Sequence, residues 1–294
     1  MQILPASAGS GIRFERTDLD GASLELSTLL CAPSQRGPGA ASLSRTDHAT
    51  TLAGSGFTIS TVEHLLAALH GLGVDNATVR LSGDEVPIMD GSAAPFVFLL
   101  KEAGLRELGE PREAIVFHRP ISVVDGDREV TVYPADNFRI TYTIDFQHPA
   151  IGRQSLSRSV DERTFIHQLA PARTFCMLKD VEALRERGLA LGGSLQNAVV
   201  VGDAGPLNDL RFQDEFVRHK ALDLIGDLAL LGHPVAGHVV AHKAGHAMHA
   251  RLLNEILRCR DAWSLVPRVP AGAGTRAPRP VRAPSQVLGG LGTY

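Results

Sequence analysis

The chain has 294 residues, 44% of them hydrophobic and 21% charged, which fits one large or two medium globular domains and excludes disorder and collagen. With 29 Lys and Arg against 32 Asp and Glu the formal charge is -3, so no bulk attraction draws it to nucleic acid or to an anionic membrane. No run approaches 18 apolar residues and the start has no basic stretch ahead of an apolar one, which points to a cytoplasmic protein without stable membrane insertion.

In chain order, residues 60–71 carry Ser60 with Glu63 three positions on, the pattern of a capping box, and close on Gly71 or Gly73. This predicts a short helix. A strand is expected over 76–81, a turn over 87–92 and a second helix over 93–103, ended by Gly104. Beyond Pro111 the hydrophobic period becomes two. The runs 114–117, 121–124, 129–133 and 138–146, with a turn at Asp125-Gly126-Asp127, predict an antiparallel meander. A long helix is expected over 214–231, stopped at Gly232-His233-Pro234, then a strand over 237–241 and a last helix over 245–260. From Leu265 the chain is rich in Pro, Gly, Ala and Arg with no acidic residue, the composition of a tail. Without the tail's four arginines the body holds 25 basic against 32 acidic residues, a poor match for a polyanion.

The order helix, strand, helix occurs twice. Aligning the two sets places Val62-Glu63-His64 opposite Val217-Arg218-His219, and Gly91-Ser92-Ala93 opposite Gly245-His246-Ala247. The spacing agrees, 28 residues from His64 to Ser92 and 27 from His219 to His246. This suggests a duplicated unit of sheet plus two helices, which would bring a histidine from each half into one cleft.

Cys31, Cys176 and Cys259 are far apart and form no C-x-x-C, which argues for buried thiols rather than a disulfide framework or a cysteine zinc site. Six of the twelve histidines (His219, His233, His238, His242, His246, His249) fall within 31 residues, pointing to metal or proton chemistry. On a helix, His219 and Asp223 at i and i+4 face the same way, and Asp227 lies one turn further on. His64 would complete a two-histidine, one-carboxylate set with an open position, the arrangement of a catalytic zinc. Glu63 beside it would take a proton from a water acidified by that zinc. Plainer readings stand beside these. Glu63 is also half of a capping box, and His219 with Asp223 is also an exposed pair worth a few tenths of a kcal/mol. His242, His246 and His249 form a rival metal set, Phe165 and Phe175 read as core, and His48 reads as a loop histidine.

Four segments in order, Ser60-Thr61-Val62-Glu63-His64-Leu65, Pro87-Ile88-Met89-Asp90-Gly91-Ser92-Ala93-Ala94-Pro95-Phe96, Asp214-Glu215-Phe216-Val217-Arg218-His219-Lys220 and Gly245-His246-Ala247, resemble motifs of one family. It is that of the UDP-3-O-acyl-N-acetylglucosamine deacetylases, zinc amidases at the committed step of lipid A synthesis. The resemblance runs from about Gly11 to Trp263 and returns at Ala283-Pro284-Ser285. It implies an α+β fold of two similar domains, each a mostly antiparallel sheet with two helices, the helices sandwiched between the sheets. The domains would be residues 1–110 and 111–263, the second with an acyl-chain insert at about 177–201, followed by a tail over 264–294.

By the same resemblance, Zn2+ would be held by His64, His219 and Asp223, with Glu63 as general base. His246 would be a cationic acid oriented by Asp227, and Thr174 would donate to the tetrahedral oxyanion. Lys220 and Phe175 would contact the substrate, with Asp145, Phe146 and Lys243 near the nucleotide. Met177 and Ser194 would belong to the acyl passage, whose small residues over 188–194 suit an alkyl chain at about 0.8 kcal/mol per buried methylene. UDP-3-O-acyl-N-acetylglucosamine would be the substrate of a monomer that releases acetate.

Two departures stand out. The family usually begins with a strand and a Gly-rich, histidine-containing loop, whereas this chain opens at Ile3-Leu4-Pro5-Ala6, beside the family's second strand. The opening strand is therefore expected to be missing and one edge of the first sheet unpaired. His48 stands where many relatives carry an apolar residue near the metal. They leave a second reading, a truncated, non-catalytic relative that binds zinc and UDP-sugar without turnover.

Overall fold

The computed structural model describes residues 1–19, 22–25, 42–46, 49–54, 56–181 and 192–268. His48, Cys31, residues 182–191 of the expected acyl insert and residues 269–294 of the expected tail lie outside the described residues.

The first half contains β1 (Gln2–Pro5), β2 (Ile12–Arg16) and β3 (Ala22–Glu25), then the short strands β4 (Ser42–Arg45), β5 (Thr51–Ala53) and β6 (Thr58–Ile59). It continues with α1 (Glu63–Gly71), β7 (Ala77–Leu81) and α2 (Ala94–Ala103). Its main sheet has the order β1-β7-β2-β3, with β7 antiparallel to β1 and parallel to β2. The two-residue period of strands decides which side faces in: Phe14, Leu24 and Val79 are buried, while Arg80 reaches across to Glu15 at 2.8 Å on the other face. The opening residues thus form a strand of their own, β1, which among the described residues is paired on one side only.

The second half contains β8 (Arg112–Phe117), β9 (Ile121–Asp125), β10 (Arg128–Pro134), β11 (Arg139–Asp145) and β12 (Arg153–Ser159). After them come β13 (Phe175–Met177), β14 (Val199–Gly202) and β15 (Gly205–Pro206), which form a small sheet of their own. The chain continues with α3 (Glu215–Leu228), β16 (Val235–His242), α4 (His246–Arg258) and β17 (Trp263–Arg268). The main sheet runs β12-β11-β16-β10-β9, with β8 joining β16 to β17.

Two expectations are corrected by this topology. The predicted meander is interrupted, because β16 sits between β10 and β11, antiparallel to the first and parallel to the second. Alternation reveals which residues face the core but not which strand lies next door. The tail expected from residue 264 begins as a strand, since β17 pairs with β8 through Arg268. Pro267 is tolerated there on the edge.

The strands β10, β16, β11 and β12 repeat the order and relative directions of β1, β7, β2 and β3. α3 lies against β11 and β12, α4 against β9 and β10, and α1 packs on α3. One apolar core runs from Phe14 and Val79 through Leu65 and Leu66 to Leu224, Ile225, Val130 and Tyr142. Each such fully buried side chain contributes about 1.5–3 kcal/mol, and together they fix the helices between the sheets in this α+β fold. Among the described residues no helix is long and apolar enough to cross a membrane.

The approach of α3 to α1 is unusually close and depends on Gly226. A Cβ there would lie 2.0 Å from the Glu63 carbonyl oxygen, a distance no real contact shows. This contact sets the start of α1 against the last turn of α3.

Candidate active site

The predicted capping box at the start of α1 does not form. Ser60 Oγ accepts from Thr51, Thr61 takes a left-handed φ of 59° with its hydroxyl on Glu85, and α1 begins at Glu63 without a side-chain cap. Glu63 is instead turned inward, 3% exposed, with Oε2 accepting the Thr50 N–H at 3.0 Å. A carboxylate is seldom buried without a function or a strong partner. Burial pushes the Glu63 carboxyl above its usual range, and the neighbouring imidazoles of His246 and His64 only partly offset it.

His64 lies next along α1 and faces the α3 side chains at i and i+4. His219 Nε2 is 3.2 Å and His64 Nε2 3.7 Å from Asp223 Oδ1, and the two imidazole rings sit 5.0 Å apart edge to face. All three are at most 3% exposed, which removes the reading of His219 and Asp223 as a solvent pair. Tetrahedral ligands about 2.0–2.1 Å from a zinc ion lie roughly 3.3 Å from one another, so the set fits the ion the sequence suggested. Asp223 Oδ1, the oxygen that faces both imidazoles, is buried without a hydrogen-bond partner among the described residues, as a metal ligand is before the ion is counted. The other Asp223 oxygen takes Lys220 Nζ at 2.8 Å. Burial alone would raise the Asp223 carboxyl, but His219 and Lys220 hold it well below the usual range. His219, which contacts the Ala172 carbonyl through Nδ1, is held by burial down to about 3 and so stays neutral, as a ligand must be.

The rival histidine set resolves differently. His242 lies on β16 opposite Glu129, while His246 and His249 each place Nδ1 2.7 Å from Asp227 Oδ2. That is a hydrogen-bond distance, too short for two ligands of one ion. Burial disfavours the charged form of His246, yet Asp227 more than offsets it and raises the imidazole to about 9. Asp227 itself, despite burial, is held near about 2 by His246 and His249. His249 stays below its ordinary value through burial, its Nε2 3.1 Å from the Tyr142 hydroxyl. The second oxygen of Asp227 takes the Thr50 hydroxyl at 2.5 Å. Sequence reasoning placed His249 only in the rival metal set and missed Tyr142 and Thr50. His249 had a signal, being three residues from His246 and so on one helix face; Thr50 had none.

The remaining expected residues are partly gathered. Phe175 stacks edge to face on Phe216 at 4.9 Å and on Phe146 at 5.5 Å, lies 6.4 Å from the His219 ring, and has Lys220 Nζ 5.8 Å from its centroid. It is half-buried, a wall of the site as well as a core contact. Asp145 pairs with Lys243 at 3.2 Å, and Lys243 also reaches Asp127 at 2.9 Å. Thr174 precedes β13 and its N–H donates to the Gly91 carbonyl at 2.7 Å; its hydroxyl has no partner among the described residues. Gly91 is required for this join, since at φ 81° a Cβ would meet the Asn197 carbonyl oxygen at 2.0 Å. Met177 is half-buried at the end of β13, and Ser194 is exposed in a turn with Gln196 and Asn197. Phe165 is buried core, and the free thiols Cys176 and Cys259 are only half-buried.

Two histidines and a carboxylate within ligand reach of one another, flanked by a buried carboxyl of raised proton affinity and a cationic imidazole, are the equipment of a metal-assisted hydrolase. The comparison with known proteins narrows the class. Residues 1–258 match the UDP-3-O-acyl N-acetylglycosamine deacetylase family, to which the chain belongs. It is 47% identical over 269 residues to the UDP-3-O-acyl-N-acetylglucosamine deacetylase of Myxococcus xanthus, covering 91% of this chain and 82% of that protein. Proteins of the same name from a Geobacter species and from Syntrophotalea carbinolica are 45% identical over 273 residues and 50% over 220. These alignments cover 92% and 74% of this chain and 86% and 71% of the respective proteins.

Proposed function

We propose that this protein is the zinc-dependent deacetylase that removes the N-acetyl group of UDP-3-O-acyl-N-acetylglucosamine in lipid A synthesis, releasing acetate. The observation that carries the reading is the buried His64, His219 and Asp223 set, whose Asp223 Oδ1 has no hydrogen-bond partner among the described residues, placed beside Glu63. Zinc held there supplies a Lewis acid for the acetamide carbonyl and makes a water acidic near neutrality.

The protein's own groups do the rest. Glu63, with Oε2 tied to Thr50 and Oε1 without a hydrogen bond among the described residues, takes the proton of the attacking water. Its buried carboxyl has a raised proton affinity, as a general base near neutral pH requires. The Thr174 hydroxyl donates to the carbonyl oxygen as it gains charge. His246, cationic through Asp227, stabilises that charge and gives a proton to the departing amine. Lys220 steadies Asp223 and borders the sugar together with Phe175. Asp145, Phe146 and Lys243 face the nucleotide, and Met177 and Ser194 belong to the acyl passage. A binding-only relative is the poorer reading, because binding has no use for a buried base and a buried cationic acid set around one metal position.

Hydrolysis of UDP-3-O-acyl-N-acetylglucosamine by purified protein, measured with zinc content, is the test. One zinc per chain and release of acetate are expected. A protein that binds the nucleotide sugar and zinc but releases no acetate would overturn the catalytic reading.

A further inference from the structure

Thr50 belongs to no motif, yet it touches both proton-handling groups of the site. It is 1% exposed and lies immediately before β5, pinned to the start of α1 by its backbone. Its N–H donates to Glu63 Oε2 at 3.0 Å, and its carbonyl accepts from Val62 at 3.4 Å. Its side chain turns the other way, to Asp227 Oδ1 at 2.5 Å, with the same Oγ1 3.2 Å from His246 Nδ1.

A threonine hydroxyl has one proton to give. Given to Asp227, it leaves only lone pairs facing His246. The nitrogen Nδ1 is then the protonated one, donating to Asp227 Oδ2 at 2.7 Å with the Thr50 oxygen as a secondary acceptor. What remains is Nε2, on the side of Asp223 at 3.7 Å, as the nitrogen whose proton can be exchanged at the reacting centre. From this geometry we infer that Thr50 is a positioning residue that couples the two proton-handling groups, its backbone aiming Glu63 and its hydroxyl fixing, through Asp227, the ring orientation of His246 and Nδ1 as the nitrogen that keeps its proton. The inference rests on the proposed deacetylase reading for its catalytic consequence, but the held Nδ1 proton is a property of the folded site itself.

Thr50→Val removes the hydroxyl and keeps both the shape and the backbone N–H, and Thr50→Ser returns the hydroxyl. In the zinc-loaded protein, Thr50→Val is expected to lower kcat about 10- to 100-fold, the usual span for a group that orients another at a metal site. KM should stay within about threefold, zinc at one per chain, and Thr50→Ser should recover most of the loss. Independently of turnover, nuclear magnetic resonance of 15N-histidine-labelled protein near pH 7 should show the His246 Nδ1 proton protected in the wild type. In Thr50→Val that proton should exchange with water about tenfold faster or more, by the same reasoning.

Wild-type kcat and an unchanged Nδ1 proton in Thr50→Val would overturn the inference. So would a Thr50→Ser protein as impaired as Thr50→Val, which would assign the effect to lost packing. If Thr50→Val does not fold, Thr50→Ala is read by the same two measurements. A wild-type protein without turnover would sink the deacetylase reading instead, and the Nδ1 proton would still decide the role of Thr50.

Discussion

In the first half, the turn that leads into α2 puts Met89 at φ 55° and Gly91 at 81°; in the second half, the matching turn puts Lys243 at φ 51° ahead of Gly245. Two non-glycine residues in the left-handed region at equivalent positions imply the same sharp redirection from strand to helix. The side chains that the two turns deliver are put to different uses. Ser92 spends its hydroxyl on Asp90, and Asp90 takes Arg211 at 2.8 Å, so the first turn braces the junction on which Thr174 rests. His246, in the place of Ser92, turns inward to Asp227. The paired helices diverge in the same way. His64 and His219 are equivalent, but the positions one and two turns beyond His64 are the buried Ala68 and Leu72, where α3 carries Asp223 and Asp227. A single centre has room for one such carboxylate pair, because a second set of buried negative charges would find no partners. In the proposed site one half thus supplies Glu63 and His64 at the start of a helix whose remaining polar side chain is His70, and the other supplies the Asp223 and Asp227 carboxylates with their histidines.

The largest test of that division is metal content. His64→Ala and His219→Ala should each lower zinc from one per chain to near zero and abolish turnover, although the two residues come from different halves. Zinc retained in either protein would move the ion toward Asp227, His246 and His249. Glu63→Gln should keep zinc and lose roughly 10² to 10⁴ in kcat, the range for a positioned general base. Activity close to wild type would leave Glu63 only its bond to Thr50.

A smaller effect contrasts two equivalent glycines. Gly226 faces backbone, the Glu63 carbonyl, whereas its counterpart Gly71 faces the ring of Phe165, where a Cβ would fall 2.2 Å from a side-chain atom. Backbone there cannot yield without moving α1, while a ring can. Gly226→Ala should cost about 3 kcal/mol or more, and Gly71→Ala about 1–3 kcal/mol, in urea unfolding. Equal losses would mean that Phe165 is held as rigidly as the helix backbone.

How far the sequence reached depended on whether the signal was local. The helix pairs, the i,i+4 placement of His219 and Asp223 and the repeat linking His64 to His219 are periodic, and so are visible in one dimension. The insertion of β16 between β10 and β11 and the pairing of β17 with β8 are choices among strands with similar alternation, which periodicity cannot rank. The capping box failed because α1 starts at Glu63 itself, with Val62 as its N-cap, and the carboxylate turns to the Thr50 N–H 13 residues earlier. Thr50 itself stayed invisible for the same reason, since its other partner is 177 residues away.

The smallest expected effect belongs to the bracing turn. Asp90 accepts from the Ser92 N–H and hydroxyl through Oδ1 and from Arg211 through Oδ2. Burial would raise this carboxyl, but the bonds from Ser92 and Arg211 outweigh it and hold it below its ordinary value. A carboxylate whose proton affinity is lower folded than unfolded stabilises the fold at pH values above the unfolded pKa, and loses that contribution as pH falls through the folded one. Asp90→Asn keeps an acceptor for Ser92 and removes the charge facing Arg211, a half-exposed partner, so the loss should be only about 1 kcal/mol near pH 7. In urea titrations the gap between the two proteins should hold steady above about pH 5 and narrow below about pH 4, where the wild-type carboxylate is itself being protonated. A gap that stayed constant down to pH 3 would show that the charge of Asp90 is not what Arg211 reads. Because the turn supports Thr174 through the Gly91 carbonyl, the same substitution should lower kcat a few-fold while zinc remains bound. That would mark the first turn as a support for chemistry that its counterpart in the second half performs with His246.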